Sequence, residues 1–304
     1  MKNMWYVILN PTSGNGKGLK NLDKLKYLFL KYNIPVKIVK SKFSKHEKVL
    51  TQDAIKKGFY KIISVGGDGT LHHIINGVMS QSKVKTSIIK IAVIPLGTGN
   101  DWVKTYNIPS NMELAIKIIK SEKFIHQDIG KINLIDSNDN FYFNNIAGVG
   151  FDAYVVNKVN SIKQLGTMAY LIGGITSFIN FEQSNLSIDL DKIKEISKIF
   201  MINIGLCKYS GGGLRLTDHD NHKEGFFDVT VIKEIKLLKV LLNIKKLFNG
   251  NLRKLKEVNF SNNKVIIIKN KDTHIPYIQA DGEIIGQGNS VFTVVNKAIK
   301  FIVG

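Results

Sequence analysis

The sequence predicts two domains of different class, an α/β domain with a mostly parallel sheet followed by a β-rich domain with an antiparallel one. Three observations predict it. Up to about Asp128, short apolar runs alternate with longer amphipathic segments, which is the pattern of βαβ units. Beyond Asp128 most apolar runs are strand-length, frequently alternating, and joined by turns containing Gly, Asn and Asp. The chain has 304 residues, 44% of them hydrophobic and only 5 of them Pro, which is ample material for packed cores and too apolar for disorder.

The elements follow in order. Trp5–Asn10 reads as a strand, and Lys17–Lys31 places Leu19, Leu22, Leu25, Leu28 and Phe29 at helical spacing. Val36–Val39 is a second strand, His46–Lys57 a helix, and Lys61–Val65 a buried strand ending in glycines. Thr70–Met79 is helical, Lys90–Pro95 a strand and Met112–Ser121 a helix. In the second domain strands are expected at Lys131–Ile135, Phe141–Gly148, Ser184–Leu190, Lys198–Leu206, Phe226–Ile232, Lys264–Lys269 and Val291–Val295. Helices are expected near Ala153–Val159, Thr167–Phe178 and Leu237–Phe248. No repeat or low-complexity tract interrupts this order.

Composition excludes several classes. The single cysteine, Cys207, rules out a disulfide scaffold and a cysteine-rich zinc or iron–sulfur site, and fits a reducing, cytoplasmic compartment. The start, Met1 to Asn10, is too short in apolar residues for a signal peptide and lacks a small-residue cleavage site. The longest uncharged stretch, Gln164–Phe181, is interrupted by glycines and polar residues, so it reads as a buried helix and not a membrane span. Lys plus Arg is 43 against 24 Asp plus Glu, a net charge of +19. Such an excess draws polyanions. The lysines are scattered without a basic arm, so part of the excess reads as composition alone; as a partner, an anionic membrane surface is expected and nucleic acid is not.

Three polar, glycine-bearing loops follow predicted strands: Asn10-Pro11-Thr12-Ser13-Gly14, Gly66-Gly67-Asp68-Gly69-Thr70, and Pro95-Leu96-Gly97-Thr98-Gly99-Asn100-Asp101. In a parallel sheet, loops at the carboxyl ends of strands line the ligand crevice. Glycine lets backbone approach phosphate oxygens, and a following helix aims free N–H groups at an anion. Common motifs are absent. Gly16-Lys17 is followed by Gly18 where a P-loop needs Ser or Thr, and no loop reads G-x-G-x-x-G.

In order and spacing these three loops resemble the diacylglycerol kinase catalytic domain family, most closely its soluble bacterial lipid kinase branch, with a core similar to that of sphingosine kinases. The resemblance extends through Asp128-Ile129-Gly130, Asn145–Asp152, Glu224–Asp228 and Asp281-Gly282-Glu283, so it spans essentially the whole chain. It implies a nucleotide-binding domain at 1–127, completed by a last strand returning at 297–304, and a β-sandwich-like lipid-substrate domain at 128–296, with the active site in the cleft between. It implies ATP as donor, Mg²⁺, and the hydroxyl of diacylglycerol or a related lipid alcohol as acceptor. The implied nucleotide positions are Asn10, Pro11, Thr12, Ser13, Gly14, Ser41, Gly66, Gly67, Asp68, Gly69, Thr70, Gly97, Thr98 and Asn100.

Phosphoryl transfer needs positioning, charge neutralisation and a base near the attacking hydroxyl. Asp281 and Glu283 flank Gly282; read alone, Asp-Gly is an ordinary hairpin turn. The resemblance makes Asp281 the general base, with Glu283 orienting nearby groups or nucleotide, leaves open which of the two takes the proton, and places Asp68 with them. It also assigns Asp68, Asp101 and Asp128 to Mg²⁺; helix capping and turn formation are the structural alternatives for Asp101 and Asp128. A second, structural Mg²⁺ would take Asn221, Glu224 and Phe226, though relatives often have Asp where Glu224 stands; a solvated turn is the alternative. A further departure is Leu71-His72-His73, where the family often has Leu-x-Glu. From Lys233 to Lys256, leucines flanked by Lys236, Lys239, Lys245 and Lys246 suit either core packing or an anionic bilayer. The functional expectation is a peripherally membrane-associated lipid kinase. An NAD kinase-like enzyme, or a catalytically weak nucleotide- or membrane-binding relative, is the competing reading, and a homodimer is compatible with a sequence that leaves the oligomeric state open.

Overall fold

The computed structural model describes residues 3–97, 99–159, 177, 178, 180–191, 193–217, 224–243, 246, 249 and 251–304. It divides into two compact units, 1–129 with 296–304, and 130–295.

The first unit holds four parallel strands in the order β4 (Lys90–Pro95), β3 (Lys61–Gly66), β1 (Trp5–Leu9), β2 (Val36–Lys40). β1 is wholly buried, and β3 and β4 are buried beyond their first residue. Such continuous apolar runs are what helices on both faces of a parallel sheet require. β2 is the edge, half-exposed and carrying Lys37 and Lys40, which discourage pairing with another chain. Four helices connect these strands, α1 (Ser13–Lys20), α2 (Leu22–Lys31), α3 (His46–Lys56) and α4 (Asp68–Met79), and two more, α5 (Asp101–Thr105) and α6 (Met112–Ser121), follow β4.

The single helix expected over Lys17–Lys31 is two. Asn21 leaves helical geometry and its side-chain amide donates to the Lys17 carbonyl at 2.9 Å, which closes α1 and restarts the chain as α2. Only Leu25, Leu28 and Phe29 of the expected stripe enter the core, while Leu19 is exposed.

The long strands β5 (Phe124–Leu134) and β15 (Ser290–Ile302) carry the chain from one unit to the other. The end of β15 pairs in parallel with β4, Lys300 opposite Lys90 and Phe301 opposite Ile91, and residues 296–304 belong to the first unit.

The second unit is antiparallel. Its order is β14 (Glu283–Gln287), β13 (Tyr277–Ala280), β7 (Ile146–Gly150), β9 (Ile193–Gly205), β8 (Ser184–Leu190), β12 (Val265–Asn270), then β15. β10 (Phe227–Lys233) lies beside β9, β11 (Val258–Asn263) beside β10, and β6 (Asn140–Phe143) beside β5. Alternate residues such as Leu186, Ile188 and Leu190 meet Phe143, Val149, Ile202, Ile204 and Phe292 in one core. A second cluster gathers Phe200, Met201, Leu216, Ile232 and Val258, with Phe151 of α7 (Phe151–Val159) packed on it.

The strand expected over Phe141–Gly148 is broken into β6 and β7, because Asn144 and Asn145 turn their N–H groups to a carboxylate instead of a neighbouring strand. β11, β13 and β14 were not legible as strands. Of the expected helix Leu237–Phe248, α8 (Leu237–Leu242) is described, whereas Thr167–Phe178 falls mostly outside the described residues. Among the described residues no helix is long and apolar enough to cross a membrane.

Candidate functional site

In the first unit the three glycine loops interlock at the carboxyl ends of β1, β3 and β4. A Cβ on Gly14 would stand 2.1 Å from the Leu96 carbonyl oxygen, and one on Gly97 would stand 2.4 Å from the Gly67 Cα. Only bare backbone allows approaches this close. Polar contacts tie the same loops together. The Asn10 amide donates to Thr70 Oγ1 at 3.1 Å, the Asp68 N–H to the Gly99 carbonyl at 3.0 Å, and Asn100 Nδ2 to the Gly97 carbonyl at 2.6 Å. Asn10 Oδ1 in turn accepts from the N–H and hydroxyl of Thr12. Ser41, buried at the end of β2, donates its N–H to Leu9 and so stands beside the first loop.

The first loop also changes hand. Thr12 is right-handed, then Gly14, Asn15 and Gly16, inside the span of α1, break from helical geometry with φ of 59°, 58° and 85° and put a kink there. Turns of this kind direct successive N–H groups into one concavity suited to an anion. Pro11 and Ser13 belong to the same loop, and Gly69 lies in the first turn of α4, whose N-terminus adds its partial positive charge. Thr98 lies outside the described residues.

The acidic residues are brought together only in part. Asp68 accepts from the N–H of Asp101 at 2.8 Å and of Trp102 at 3.4 Å, so it caps α5 from another loop. Asp101 is buried and its Oδ1 meets Lys104 Nζ at 2.7 Å. Asp128 accepts the N–H of Lys297 at 2.7 Å, which steadies the chain at a left-handed residue as it re-enters the first unit. Among the described residues no three His, Cys, Asp or Glu stand close enough to hold a metal by themselves. His72 is buried against Asn76, with His73 edge-on to its ring.

In the second unit Asp281 and Gly282 form the two-residue turn between β13 and β14, with φ of 51° and 80° and Ala280 paired to Glu283 across it. Both central residues are left-handed, which is the hairpin geometry Asp-Gly favours. The Asp281 carboxylate accepts three backbone N–H groups, from Asn145 at 2.9 Å, Asn144 at 3.1 Å and Ile146 at 3.2 Å. Its own N–H donates to the Ile146 carbonyl. The side chain is therefore a structural anchor as well as an acid, and Glu283 opens β14 one residue past the turn.

Of the second cation set, Asn221 lies outside the described residues, Glu224 is exposed, and the Phe226 ring sits under the Lys264 ammonium at 4.8 Å. Sequence reasoning passed over a buried polar row. Asp152 and Gln279 are hydrogen-bonded at 3.0 Å, and Asn203, opposite Gly148 across β7 and β9, is fully buried. Burial pushes the Asp152 carboxyl up to about 6, against hydrogen bonds from Gln279 and Ala153 that favour its charged form. A motif ending in Asp152 was visible, but its burial was not.

Residues 4–132 match the family described as "Diacylglycerol kinase catalytic domain", and residues 145–303 match "YegS C-terminal NAD kinase beta sandwich-like domain". The chain is 26% identical over 296 residues to "Putative lipid kinase YtlR" of Bacillus subtilis (strain 168), covering 93% of this chain and 94% of that one. It is 25% identical over 239 residues to "Diacylglycerol kinase" of Staphylococcus carnosus (strain TM300), covering 78% and 75% of the two. In fold it is similar to the crystal structure of "a putative diacylglycerol kinase" from Bacillus anthracis str. Sterne, with a TM-score of 0.79 at 22% identity over 99% of this chain and 97% of that chain.

Proposed function

The chain belongs to the bacterial lipid kinase family built on the diacylglycerol kinase catalytic domain, and on that premise we propose that it transfers the terminal phosphoryl group of ATP to the hydroxyl of diacylglycerol or a related lipid alcohol. The observation that supports this best is the interlocked triple loop of the first unit, where glycine-on-glycine backbone contact packs three loops together at the ends of three parallel strands. A triphosphate fits such a surface: close backbone approach, helix N-terminus and left-handed turn all favour clustered negative charge.

Mg²⁺ fits the donor set through Asp68. Its carboxylate is held rigidly by the α5 amides, and Mg²⁺ takes one or two carboxylates together with phosphates and water, not an all-protein cage. When bound, the ion neutralises phosphoryl charge. Asp101 and Asp128 would act by holding loop and chain in place. On the acceptor side, the turn presents Asp281 and Glu283 for the lipid hydroxyl proton. In one assignment Asp281 takes the proton and Glu283 orients the hydroxyl. The three backbone bonds to Asp281 support a second, in which Asp281 fixes the turn and Glu283 takes the proton.

Peripheral attachment to an anionic membrane rests on α8. Leu238 and Leu242, one turn apart, are 68% and 76% exposed beside exposed Lys236. Lys239 is ion-paired to Glu257 and contributes less to such a surface.

The test is incubation with ATP, Mg²⁺ and a lipid extract, with NAD in a parallel reaction, followed by mass spectrometry. A new phosphomonoester of a lipid alcohol is expected. Phosphorylated NAD with unchanged lipids would overturn the reading in favour of the NAD kinase-like alternative.

A further inference from the structure

The turn carrying Asp281 and Glu283 is gripped from behind by a carboxylate that the reaction above does not use. Asp152, buried at the start of α7, accepts from two donors on its two oxygens: the Ala153 N–H on Oδ1 at 2.7 Å and Gln279 Nε2 on Oδ2 at 3.0 Å. Gln279, buried on β13, uses its other end to accept the Gly282 N–H at 2.8 Å. Gly148 pairs with Gln279 in register, and a Cβ there would lie 1.8 Å from Asp152 Oδ2, so that glycine admits the carboxylate. A hydrogen-bonded chain thus runs from Asp152 through Gln279 into the middle of the turn.

We propose that Asp152, acting through Gln279, is a positioning residue that holds the Asp281–Gly282–Glu283 turn in register for proton transfer, and does so only while ionised. The proposal rests on the lipid kinase reading. Its ground is a count of acceptors. A carboxylate offers one full acceptor oxygen to each donor, whereas a protonated carboxyl leaves its hydroxyl oxygen a poor acceptor and, like Asn, turns a donor toward Ala153 or Gln279. Should the Gln279 amide flip to meet that donor, its NH₂ would face the Gly282 N–H. One bond of the chain is lost either way.

The raised value of Asp152, about 6, puts this change within an accessible pH range. The elements packed against α7 carry Asp281 and Tyr277 with β13, Glu283 on β14, and Lys194, Glu195 and Lys198 on β9; Tyr154 and Lys158 lie on α7 itself. None of these groups enters the balance at Asp152, which burial dominates.

The test compares wild type, Asp152→Asn, Gln279→Met and the double variant. Protection of the Gly282 amide from hydrogen exchange, measured from about pH 5 to about pH 8, needs no substrate and so separates this proposal from the kinase reading. Steady-state kinetics with ATP and a short-chain diacylglycerol is the second readout. In wild type, both protection and kcat should fall on acidification with a midpoint near 6. Asp152→Asn should lower both roughly tenfold at neutral pH, abolish the acid limb and leave KM for ATP unchanged. Gln279→Met should do the same, and the double variant should be no worse than either single one, since all three cut one chain. Wild-type protection of Gly282 in Asp152→Asn, an acid limb that survives in it, or additive single effects would each overturn the proposal. If the protein phosphorylates no lipid, the exchange measurement decides alone.

Discussion

Replacing Gly97 with Ala should separate two of the three phosphate loops. Gly97 has no left-handed strain to lose, so the effect is steric: the new Cβ would sit 2.4 Å from Gly67 Cα and 2.8 Å from Gly67 N. Relief to ordinary contact needs a shift of about 1 Å, and inserting a group into packed backbone costs ~1–3 kcal/mol. The same shift stretches bonds that cross the seam, Asp68 N–H to Gly99 at 3.0 Å and Asp101 N–H to Asp68 at 2.8 Å. Each contributes ~0.5–1.5 kcal/mol, giving a total of ~2–6 kcal/mol with the insertion cost. Both tryptophans, Trp5 and Trp102, are buried in the first unit, so their fluorescence in a urea titration reports on that unit alone. The midpoint should fall markedly, and calorimetry should show ATP affinity reduced by more than about tenfold, the equivalent of ~1.4 kcal/mol. Gly16→Ala is the control, because its Cβ meets open space and only the φ of 85° is strained; it should cost about 1 kcal/mol. An unchanged midpoint together with ATP affinity within about twofold of wild type would refute the argument that these loops form one packed cradle.

The other predictions concern the second unit. Asp281→Asn should lower turnover by a factor of roughly 10² to 10⁴ if Asp281 is the base, and should also cost ~1–3 kcal/mol in a denaturant titration, since one acceptor oxygen cannot serve N–H groups now shared between two. Glu283→Gln should leave the denaturation midpoint nearly unchanged; a larger loss of turnover there than in Asp281→Asn identifies Glu283 as the proton acceptor. Asp152→Asn should be more stable than wild type at neutral pH. The native carboxyl sits at about 6 against an ordinary 3.8, so its contribution is fully present below about pH 4 and is lost as pH rises through 6, a difference of ~3 kcal/mol less about 1 for the bond Asn cannot make. Midpoints that differ equally at pH 4 and pH 7.5 would contradict that account. Finally, Leu238→Ser with Leu242→Ser and Lys236→Gln should reduce sedimentation with anionic vesicles while sparing turnover of a water-soluble short-chain lipid, and salt should weaken wild-type binding; undiminished sedimentation would make α8 a solvated face.

By itself the sequence determined what depends on neighbouring residues. Continuous apolar runs specify β1, β3 and β4, glycines at their ends specify loops, and Met112–Ser121 is a helix as its spacing required. The order of those loops was enough to identify the family. Local signals also misled where a distant group intervened: Asn144 and Asn145 sit inside an apolar run, yet Asp281, some 137 positions away from Asn144, takes their N–H groups and ends the strand. Asp68 read as a ligand and is also the cap of α5, because β3 and β4 end side by side. The link from Asp152 to Gln279 spans 127 positions and exists only because antiparallel register sets Gly148 opposite Gln279. Hydrophobic period and turn chemistry act over a few residues and can be read along the chain. Which carboxylate is buried, and which amide faces it, is decided when strands choose partners, and that choice is made by the packing of the whole sheet.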